Sequence, residues 1–274
     1  MARILALSSM VARGCVGLSA IVPALHRLGH EVIALPTVLL SNHLGHARAA
    51  GMEVPADKLA QIIDALDGNG WLGELDAVLT GYLPSPGHVR LAVAAIERVR
   101  SHRAAARVFC DPVLGDDPKG LYLDETAAAT LRDELVPRAD TLTPNRFELA
   151  WLSGRPVEDA RSAIEAARRL SVAVTLATSV PAPGATIANL LISASRCYRC
   201  LVPRLEAVPH GTGDFMTALF AGYCLKGGTG AGPLAAATAG VAAAIAASHG
   251  KDELELAASQ DAWSGAPPLP VDEL

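Results

Sequence analysis

The chain has 274 residues, of which 51% are apolar and 19% charged, and its formal net charge is −5 at pH 7. This composition is typical of a soluble globular protein with a large core, and it excludes a disordered or fibrous chain. The 23 Lys and Arg residues are scattered, so no face for nucleic acid or acidic lipid is indicated. The five cysteines are odd in number and irregularly spaced, which argues against a disulfide framework.

Short apolar runs with the character of β-strands alternate with longer amphipathic or alanine-rich segments. The predicted strands, in chain order, are 3–8, 31–38, 76–81, 106–113, 140–145 and 172–178. The predicted helices between them lie near 17–29, 57–67, 87–102, 124–135 and 157–170. The alternation predicts right-handed βαβ crossovers and a mainly parallel sheet that helices cover on both faces.

The pattern changes after residue 180, where two short strands joined by a polar turn precede helices at 212–226, 232–249 and 252–262. The alanine-rich segment from Pro233 is too short to span a bilayer and predicts a buried helix. The apolar run "ILAL" near the start is too short for a secretory signal, so we expect a cytoplasmic protein. With no repeat or linker in the sequence, we expect a single α/β domain over residues 1–274.

In open parallel sheets, ligands bind outside the carboxyl ends of the strands, so polar residues at strand ends are candidate site residues. In this sequence they are Ser8, Ser9, Ser41, Asn42, His43, Tyr82, Asp111, Asn145 and Glu148. Each also has a purely structural interpretation, such as a turn, a cap or a core position. Their common placement favours one ligand site at this edge of the sheet.

The segment "HGTGD" stands directly before an apolar helix. Its glycines are expected to adopt conformations closed to other residues, so that backbone N–H groups converge with the helix N-terminus on a phosphate. Asp214 would repel that anion, which favours a role in taking a proton from an attacking hydroxyl. The alternative is that Thr212 or Asp214 only caps the helix.

These motifs resemble those of the ribokinase-like superfamily, whose fold is a three-layer sandwich with a central, mainly parallel sheet. Its GxGD anion hole and catalytic base are matched by Gly211, Thr212, Gly213 and Asp214. Its NxxE motif is matched by Asn145 to Glu148, and the resemblance implies that this carboxylate holds Mg²⁺ and the nucleotide phosphates through water.

Within that superfamily the chain is similar to the pyridoxal kinases, through "LALSSMVARGCVGLSA", "LPTVLLSNH", "AVLTGYL", "FCDPVLGDDPKGLYL", "TPNRFEL" and "GTGD". The resemblance implies ATP-dependent phosphorylation of the 5′-hydroxyl of pyridoxal, pyridoxine or pyridoxamine in vitamin B6 salvage. It implies that Ser9 bonds the pyridine nitrogen side, that His43 contacts polar ring substituents and that Tyr82 packs near the ring. Val16 supplies an aliphatic wall, and a homodimer is expected.

For the nucleotide and metal, the resemblance places Asp111 beside the phosphates and the cation. Asp111 and Glu148 together form a sufficient Mg²⁺ shell, because Mg²⁺ takes one or two carboxylates and keeps waters and phosphate oxygens. Thr178 is a candidate phosphate contact. The chain departs from the family pattern at Leu44, where a threonine is usual, and at Met10 and Arg13, where histidine and tyrosine are frequent.

Three functions from different classes follow from the sequence. They are a pyridoxal kinase, another ribokinase-like kinase such as one for hydroxymethylpyrimidine, and a catalytically silent vitamer-binding protein. The presence of "SNH" and "TGYL" favours the first over the second, and the intact "GTGD" disfavours the third. Two further motifs are interpreted as structural. The "CYRC" pair is expected to be two strand cysteines, and "GYCLKGGTGAG" an interhelical loop.

Overall fold

The computed structural model describes all 274 residues of the chain. Its strands are β1 (Arg3–Val11), β2 (Glu31–Leu40), β3 (Gly51–Glu53), β4 (Ala77–Thr80), β5 (Arg107–Cys110), β6 (Gly115–Asp116), β7 (Gly120–Leu121), β8 (Thr141–Leu142), β9 (Val174–Ala182), β10 (Thr186–Ser193), β11 (Cys197–Pro203) and β12 (Asp272–Glu273). Its helices are α1 (Leu18–Arg27), α2 (Ala56–Gly68), α3 (Pro86–His102), α4 (Glu125–Thr130), α5 (Arg146–Ser153), α6 (Ala160–Arg169), α7 (Thr212–Leu225), α8 (Gly232–Ala247) and α9 (Gln260–Ser264).

One ten-stranded sheet runs in the order β12-β11-β10-β9-β8-β5-β4-β1-β2-β3. All contacts from β2 to β9 across the centre of this sheet are parallel. The flanking strands β3 and β10 to β12 are antiparallel to their neighbours. The predicted mainly parallel α/β sheet is therefore confirmed, with an antiparallel extension at each edge.

Helices cover both faces of the sheet, because the central strands bury alternate side chains in two separate cores. Leu5 and Leu7 of β1 pack in the core beneath α2, α3 and α4. Ile4 and Ala6 of the same strand pack against α1, α7 and α8. This double burial explains the continuous apolar run of β1, which is the pattern of a strand covered on both faces. The result is the three-layer sandwich of the ribokinase-like fold.

The CxxC cysteines belong to different cores. They lie three residues apart on β11, so they point to opposite faces of the sheet. Cys197 is buried beside α6, whereas Cys200 is buried in the core of α7 and α8. They cannot share a metal ion or form a disulfide in this arrangement, which confirms that they are two strand cysteines.

Several predicted elements differ from the observed ones. The predicted helix 252–262 is wrong over most of its length, since only α9 (Gln260–Ser264) forms there. Leu254 and Leu256 are both buried at a spacing of two, which suits turns rather than a helical face. The predicted helix 124–135 consists of α4 followed by a π-helical turn. The predicted strand 140–145 forms only over the two residues of β8.

No helix in the structure has the length and apolar character needed to cross a membrane.

The loop predicted between helices at "GYCLKGGTGAG" is confirmed, because α7 ends at Leu225 and α8 begins at Gly232. Two small elements that the sequence did not predict border the carboxyl edge of the sheet. One is β3, and the other is the β6–β7 hairpin. Between β2 and β3 lies the segment 41–50, which we name the histidine loop.

Candidate active site

The carboxyl ends of β1, β4 and β5 meet the first turn of α7 at one place. A side chain on Gly81, the residue after β4, would lie 3.8 Å from Asp214 Oδ1 and 2.4 Å from Ser8 Oγ. Asp111 directly follows β5, and its carboxyl is close enough to Asp214 and Glu148 for both to influence its ionisation. The strand-end residues and the α7 motif, which lie far apart in sequence, therefore share one site.

The two glycines of the α7 motif have different roles. Gly211 precedes α7 with φ 93°, and a Cβ there would be only 1.7 Å from the carbonyl oxygen of Cys15. Gly213 lies inside the helix, with no atom within 4 Å of the Cβ position. The expectation of a special conformation at both glycines is therefore wrong for Gly213. Its missing side chain instead keeps open the space in front of the first-turn N–H groups, which have no partner within the helix.

Asp214 is partly buried in the first turn of α7. Burial raises the pKa of its carboxyl to about 6, and the backbone N–H of Gly17 opposes that rise. Gly17 lies at the start of α1 with φ 56°, and a side chain on it would collide with the backbone carbonyl oxygen of Ser9 at 2.2 Å. The turn from β1 into α1 thus aims an N–H group at the candidate base. A carboxyl with this pKa can accept a proton near neutral pH.

Asp111 is 6% exposed and receives a hydrogen bond from the hydroxyl of Thr217 to Oδ2 at 2.9 Å. Burial, together with the negative charges of Glu148 and Asp214, raises the pKa of Asp111 well above its usual range. The Thr217 hydroxyl lowers that pKa only in part. Neither Thr217 nor Thr143, whose Oγ1 lies 2.8 Å from that of Thr217, was predicted as a site residue.

The backbone after Asp111 is strained at Val113, whose φ is 43°. A β-branched residue in this region is a genuine outlier and costs about 1 to 3 kcal/mol. The N–H of Leu114 donates to Glu148 Oε1 at 2.8 Å, and the N–H of Val113 lowers the pKa of Asp111. The unusual conformation therefore turns consecutive N–H groups toward two acidic side chains.

Glu148 caps α5 together with Asn145. The N–H of Asn145 donates to Glu148 Oε2 at 2.9 Å, and the N–H of Glu148 donates to Asn145 Oδ1 at 3.0 Å, which is a capping box. Burial raises the pKa of Glu148 to about 7 although the N–H groups of Asn145, Leu114 and Gly115 oppose the rise. The NxxE motif is thus a helix start, and the same capping places its carboxylate near Asp111.

Thr178 lies beside this cap. It forms an isolated parallel bridge with Asn145, and its N–H donates to the carbonyl oxygen of Pro144 at 2.9 Å. Its side chain is half-buried. The structure thus brings Asn145, Glu148 and Thr178 together, while the contact of Thr178 with a phosphate stays a prediction.

The acidic residues fit a bound divalent cation. Asp111 lies within electrostatic reach of both Glu148 and Asp214, and no Lys or Arg side chain is among the groups that shift the pKa values of these three carboxyls. No group of three or more His, Cys, Asp or Glu side chains is arranged to hold a metal alone. Mg²⁺ does not need such a cage, because it binds one or two carboxylates and completes its shell with water and substrate phosphates.

The residues predicted to bind the substrate ring border the same site. Ser9 and Val16 are buried on the two sides of the turn between β1 and α1. Tyr82 is half-buried after β4, where its N–H donates to Ser8 Oγ at 3.1 Å and its carbonyl oxygen accepts from Thr37 Oγ1 at 2.7 Å. Ser8 Oγ accepts this bond and keeps its own proton, so the hydroxyls of Ser8 and Ser9 are both available as donors for a ligand.

The histidine loop folds back onto the segment before α7. The rings of His43 and His210 stack with centroids 3.8 Å apart, and His46 Nε2 lies 2.8 Å from Glu253 Oε1. Burial, followed by the nearness of His210 and Lys119, lowers the pKa of His43 to about 4. Leu44 is 65% exposed. His210, His46 and Glu253 were not predicted, although His210 stands directly before the GTGD motif.

Comparison with known proteins agrees with this geometry. The family model for phosphomethylpyrimidine kinase matches residues 12–257, so the chain belongs to the phosphomethylpyrimidine kinase family. Among its relatives is the pyridoxal kinase PdxY of Deinococcus radiodurans, 34% identical over 94% of this chain and 91% of that protein. The PdxY of Leifsonia xyli is 34% identical over 96% of this chain and 95% of that protein.

A solved structure shows the same architecture. The pyridoxal kinase of Leishmania donovani in complex with ADP and pyridoxamine has a TM-score of 0.94 and 29% identity, with 100% of both chains covered. The ribokinase-like fold and the similarity to pyridoxal kinases predicted from the sequence motifs are confirmed.

Proposed function

We propose that this chain is an ATP-dependent pyridoxal kinase, which phosphorylates the 5′-hydroxyl of pyridoxal, with pyridoxine and pyridoxamine as further substrates, in vitamin B6 salvage. The observation that carries the proposal is Asp214, a partly buried carboxyl with a pKa of about 6 in the first turn of α7. Its charge influences the ionisation of Asp111, which Glu148 also influences. The relatives named pyridoxal kinase PdxY support the choice of substrate.

Asp214 takes the proton of the substrate 5′-hydroxyl at a carboxylate oxygen. The freed oxygen forms a bond to the γ-phosphorus of ATP, and the bond from that phosphorus to the β–γ bridging oxygen breaks, so that ADP leaves with the electron pair. Residues that only position and stabilise charge account for most catalysis in phosphoryl transfer. General-base catalysis contributes roughly 10² to 10⁴ in rate.

Gly211, Thr212 and Gly213 supply the anion hole through their backbone N–H groups. The helix dipole of α7 adds partial positive charge at the same end. These donors are fixed before the substrate binds, so they stabilise developing charge on the phosphoryl oxygens without reorganising. The open space at Gly213 accommodates those oxygens.

Asp111 and Glu148 would hold Mg²⁺, and Asn145 and Thr178 would contact the nucleotide phosphates. When bound, Mg²⁺ would neutralise charge on the phosphates. Glu148 already accepts backbone N–H groups, so Asp111 would be the more available of the two carboxylates. Ser9, Val16, His43 and Tyr82 bind the vitamer ring, with hydrogen bonds from the polar groups and an apolar wall from Val16 and the Tyr82 ring.

A second candidate substrate is hydroxymethylpyrimidine, which the matched family's description as phosphomethylpyrimidine kinase favours. It would use the same base, anion hole and cation, and would differ only in the ring contacts. We expect pyridoxal to be preferred because the "SNH" and "TGYL" stretches carry His43 and Tyr82 to the ring site.

We also propose that the protein is a cytoplasmic homodimer. Its five cysteines are all free thiols, which suits a reducing compartment. Met10, Leu39 and Met52 are exposed apolar side chains near the β2–β3 edge, which favours contact with a second subunit. Sedimentation equilibrium tests the dimer.

The experiment that tests the substrate is a panel assay. The protein is incubated with Mg-ATP and, in turn, pyridoxal, pyridoxine, pyridoxamine and hydroxymethylpyrimidine, and the phosphorylated product is measured by mass. The proposal expects kcat/KM for pyridoxal to exceed that for hydroxymethylpyrimidine. The reverse order would identify the second candidate, and binding without any product would identify a silent vitamer-binding protein.

A further inference from the structure

Thr217 carries a buried hydroxyl group in the mainly apolar helix α7. It is 1% exposed and lies three residues after Asp214. Residues three apart share one face of a helix, so Asp214 and Thr217 both point toward the carboxyl edge of the sheet. Phe215, Met216 and Ala218, which lie next to Thr217 in the chain, are all apolar and buried.

The direction of each hydrogen bond around Thr217 follows from the donor inventory. In the ionised form that a bound cation would favour, Asp111 only accepts, so the Thr217 hydroxyl donates to Asp111 Oδ2 at 2.9 Å. The 2.8 Å contact between Thr143 Oγ1 and Thr217 Oγ1 then requires Thr143 to be the donor. The three side chains form an ordered chain from Thr143 through Thr217 to Asp111, and all three are buried.

Three other buried hydroxyls, on α4, on α5 and just after α8, behave differently, whereas Thr238 of α8 accepts from Asn189 Nδ2 at 3.3 Å. Serine and threonine in helices usually donate to the carbonyl oxygen four residues earlier. Thr130 donates in this way to Thr126, Ser153 to Leu149 and Ser248 to Ala244, each at 2.7 Å. Thr217 gives up that local bond and reaches from α7 to the end of β5. Helix geometry alone therefore does not account for its orientation.

We propose that Thr217 is a positioning residue for phosphoryl transfer. Its hydroxyl fixes Oδ2 of Asp111, so that the carboxylate presents its remaining lone pairs toward the cation and the phosphates. Because Asp214 and Thr217 sit on the same helix, α7 sets the base and the cation ligand in one rigid arrangement. This inference rests on the proposed role of Asp111 in holding Mg²⁺.

The test compares Thr217→Val, which keeps the shape and removes the hydroxyl, with Thr217→Ser, which keeps the hydroxyl. The Mg²⁺ concentration for half-maximal activity is measured at saturating ATP and pyridoxal, together with the KM for pyridoxal. The dissociation constant of Mg²⁺ for the protein with ADP is measured without turnover by isothermal titration calorimetry, and it should change in parallel. Groups that orient a metal ligand typically contribute about 10-fold to 100-fold to metal affinity. We expect Thr217→Val to raise the Mg²⁺ requirement by about 10-fold with a pyridoxal KM within about twofold, and Thr217→Ser to restore most of the loss.

Thr130→Val is the matched control, because it removes a buried helix hydroxyl that bonds only its own helix. We expect its Mg²⁺ requirement to equal that of the wild type. If Thr217→Val does not fold, Thr143→Val breaks the same chain one bond further away. It should raise the Mg²⁺ requirement by a smaller factor, about twofold to fivefold.

Asp111→Asn separates failure of this inference from failure of the proposed function. If Asp111→Asn has a wild-type Mg²⁺ requirement, the cation role of Asp111 is wrong, and this inference falls with it. If Asp111→Asn raises the Mg²⁺ requirement but Thr217→Val does not, only the inference about Thr217 is overturned. The same conclusion follows if Thr217→Ser raises the Mg²⁺ requirement as much as Thr217→Val does. The double variant Asp111→Asn/Thr217→Val gives a further check. If Thr217 acts through Asp111, adding Thr217→Val to Asp111→Asn should change the Mg²⁺ requirement by less than about twofold, because the effects of coupled residues are not additive.

Discussion

The imidazole rings of His43 and His210 stack with centroids 3.8 Å apart and planes inclined by 27°. This contact joins the histidine loop after β2 to the residue that precedes the GTGD motif, so the proposed ring site adjoins the proposed phosphoryl-transfer site. The pKa of each imidazole is lowered chiefly by burial, so both rings are neutral at physiological pH and can stack without repulsion.

Removal of either ring should weaken vitamer binding. Stacked aromatic pairs contribute about 0.5 to 1.5 kcal/mol beyond burial, so His43→Ala and His210→Ala should each raise the pyridoxal KM by roughly 3-fold to 10-fold. Leu44→Ala is the control in the same loop, because Leu44 is exposed and should leave KM unchanged. Steady-state kinetics measures all three. Wild-type KM values in both histidine variants would mean that the loop is not part of the ring site.

The two glycines of the α7 motif should respond differently to alanine. At Gly213 the added methyl group would lie in open space on a helical backbone. Gly213→Ala should therefore keep the fold, and its free energy of unfolding should rise by up to about 1 kcal/mol. The new methyl group would occupy the anion site, and kcat should fall by about 10²-fold or more, the typical cost of losing one oxyanion donor.

Gly211→Ala introduces a Cβ 1.7 Å from the Cys15 carbonyl oxygen at a φ of 93°. It should lower the melting temperature as well as the activity, because the backbone must shift. Thermal unfolding and initial rates distinguish the two variants. A Gly213→Ala variant with wild-type kcat would contradict the assignment of the anion hole.

Glu148→Gln should raise the Mg²⁺ requirement and lower kcat more than it weakens pyridoxal binding. The amide nitrogen of glutamine would also face one of the backbone N–H groups that Glu148 now accepts from Leu114 and Asn145. We therefore expect some loss of stability, about 1 to 3 kcal/mol for a buried unsatisfied donor. Magnesium titration and chemical denaturation measure the two effects. Lost stability with an unchanged Mg²⁺ requirement would reduce Glu148 to a helix cap.

Much of the site could be predicted from the sequence because parallel strands place their carboxyl ends at one edge. Asp111, Asn145 and Asp214 are short polar residues at element boundaries, where the pattern is easiest to interpret. Gly211 follows the same logic, since only glycine fits its backbone conformation and its contact with Cys15.

The remaining features depend on tertiary contacts that local patterns do not encode. Thr217 lies within an apolar helix, where its hydroxyl looks like a tolerated core residue until Asp111 is placed beside it. The positive φ of Val113 accompanies N–H contacts to distant acidic residues, and no glycine stands there to indicate it. Glu253 lies in the segment predicted to be a helix, and its contact with His46 spans 207 positions of sequence.

The stability of the protein should depend on pH through Asp214. Its folded-state pKa is raised to about 6, so its contribution to stability is fully present below its ordinary pKa and is lost as pH rises through about 6. In Asp214→Asn this loss of stability does not occur, because the amide does not ionise. We expect the variant to be about 2 to 3 kcal/mol more stable than the wild type near pH 7 and similar to it near pH 4. Urea unfolding at both pH values measures this, and an equal or lower stability near pH 7 would contradict the burial of an ionised Asp214.

The most direct test of the central claim is the single-turnover rate of phosphoryl transfer to pyridoxal in Asp214→Asn, with saturating Mg-ATP. If Asp214 accepts the proton of the 5′-hydroxyl, the rate should fall by roughly 10² to 10⁴, while the dissociation constant for pyridoxal stays within about twofold of the wild type. A single-turnover rate equal to that of the wild type would remove Asp214 from the chemical step and contradict the account.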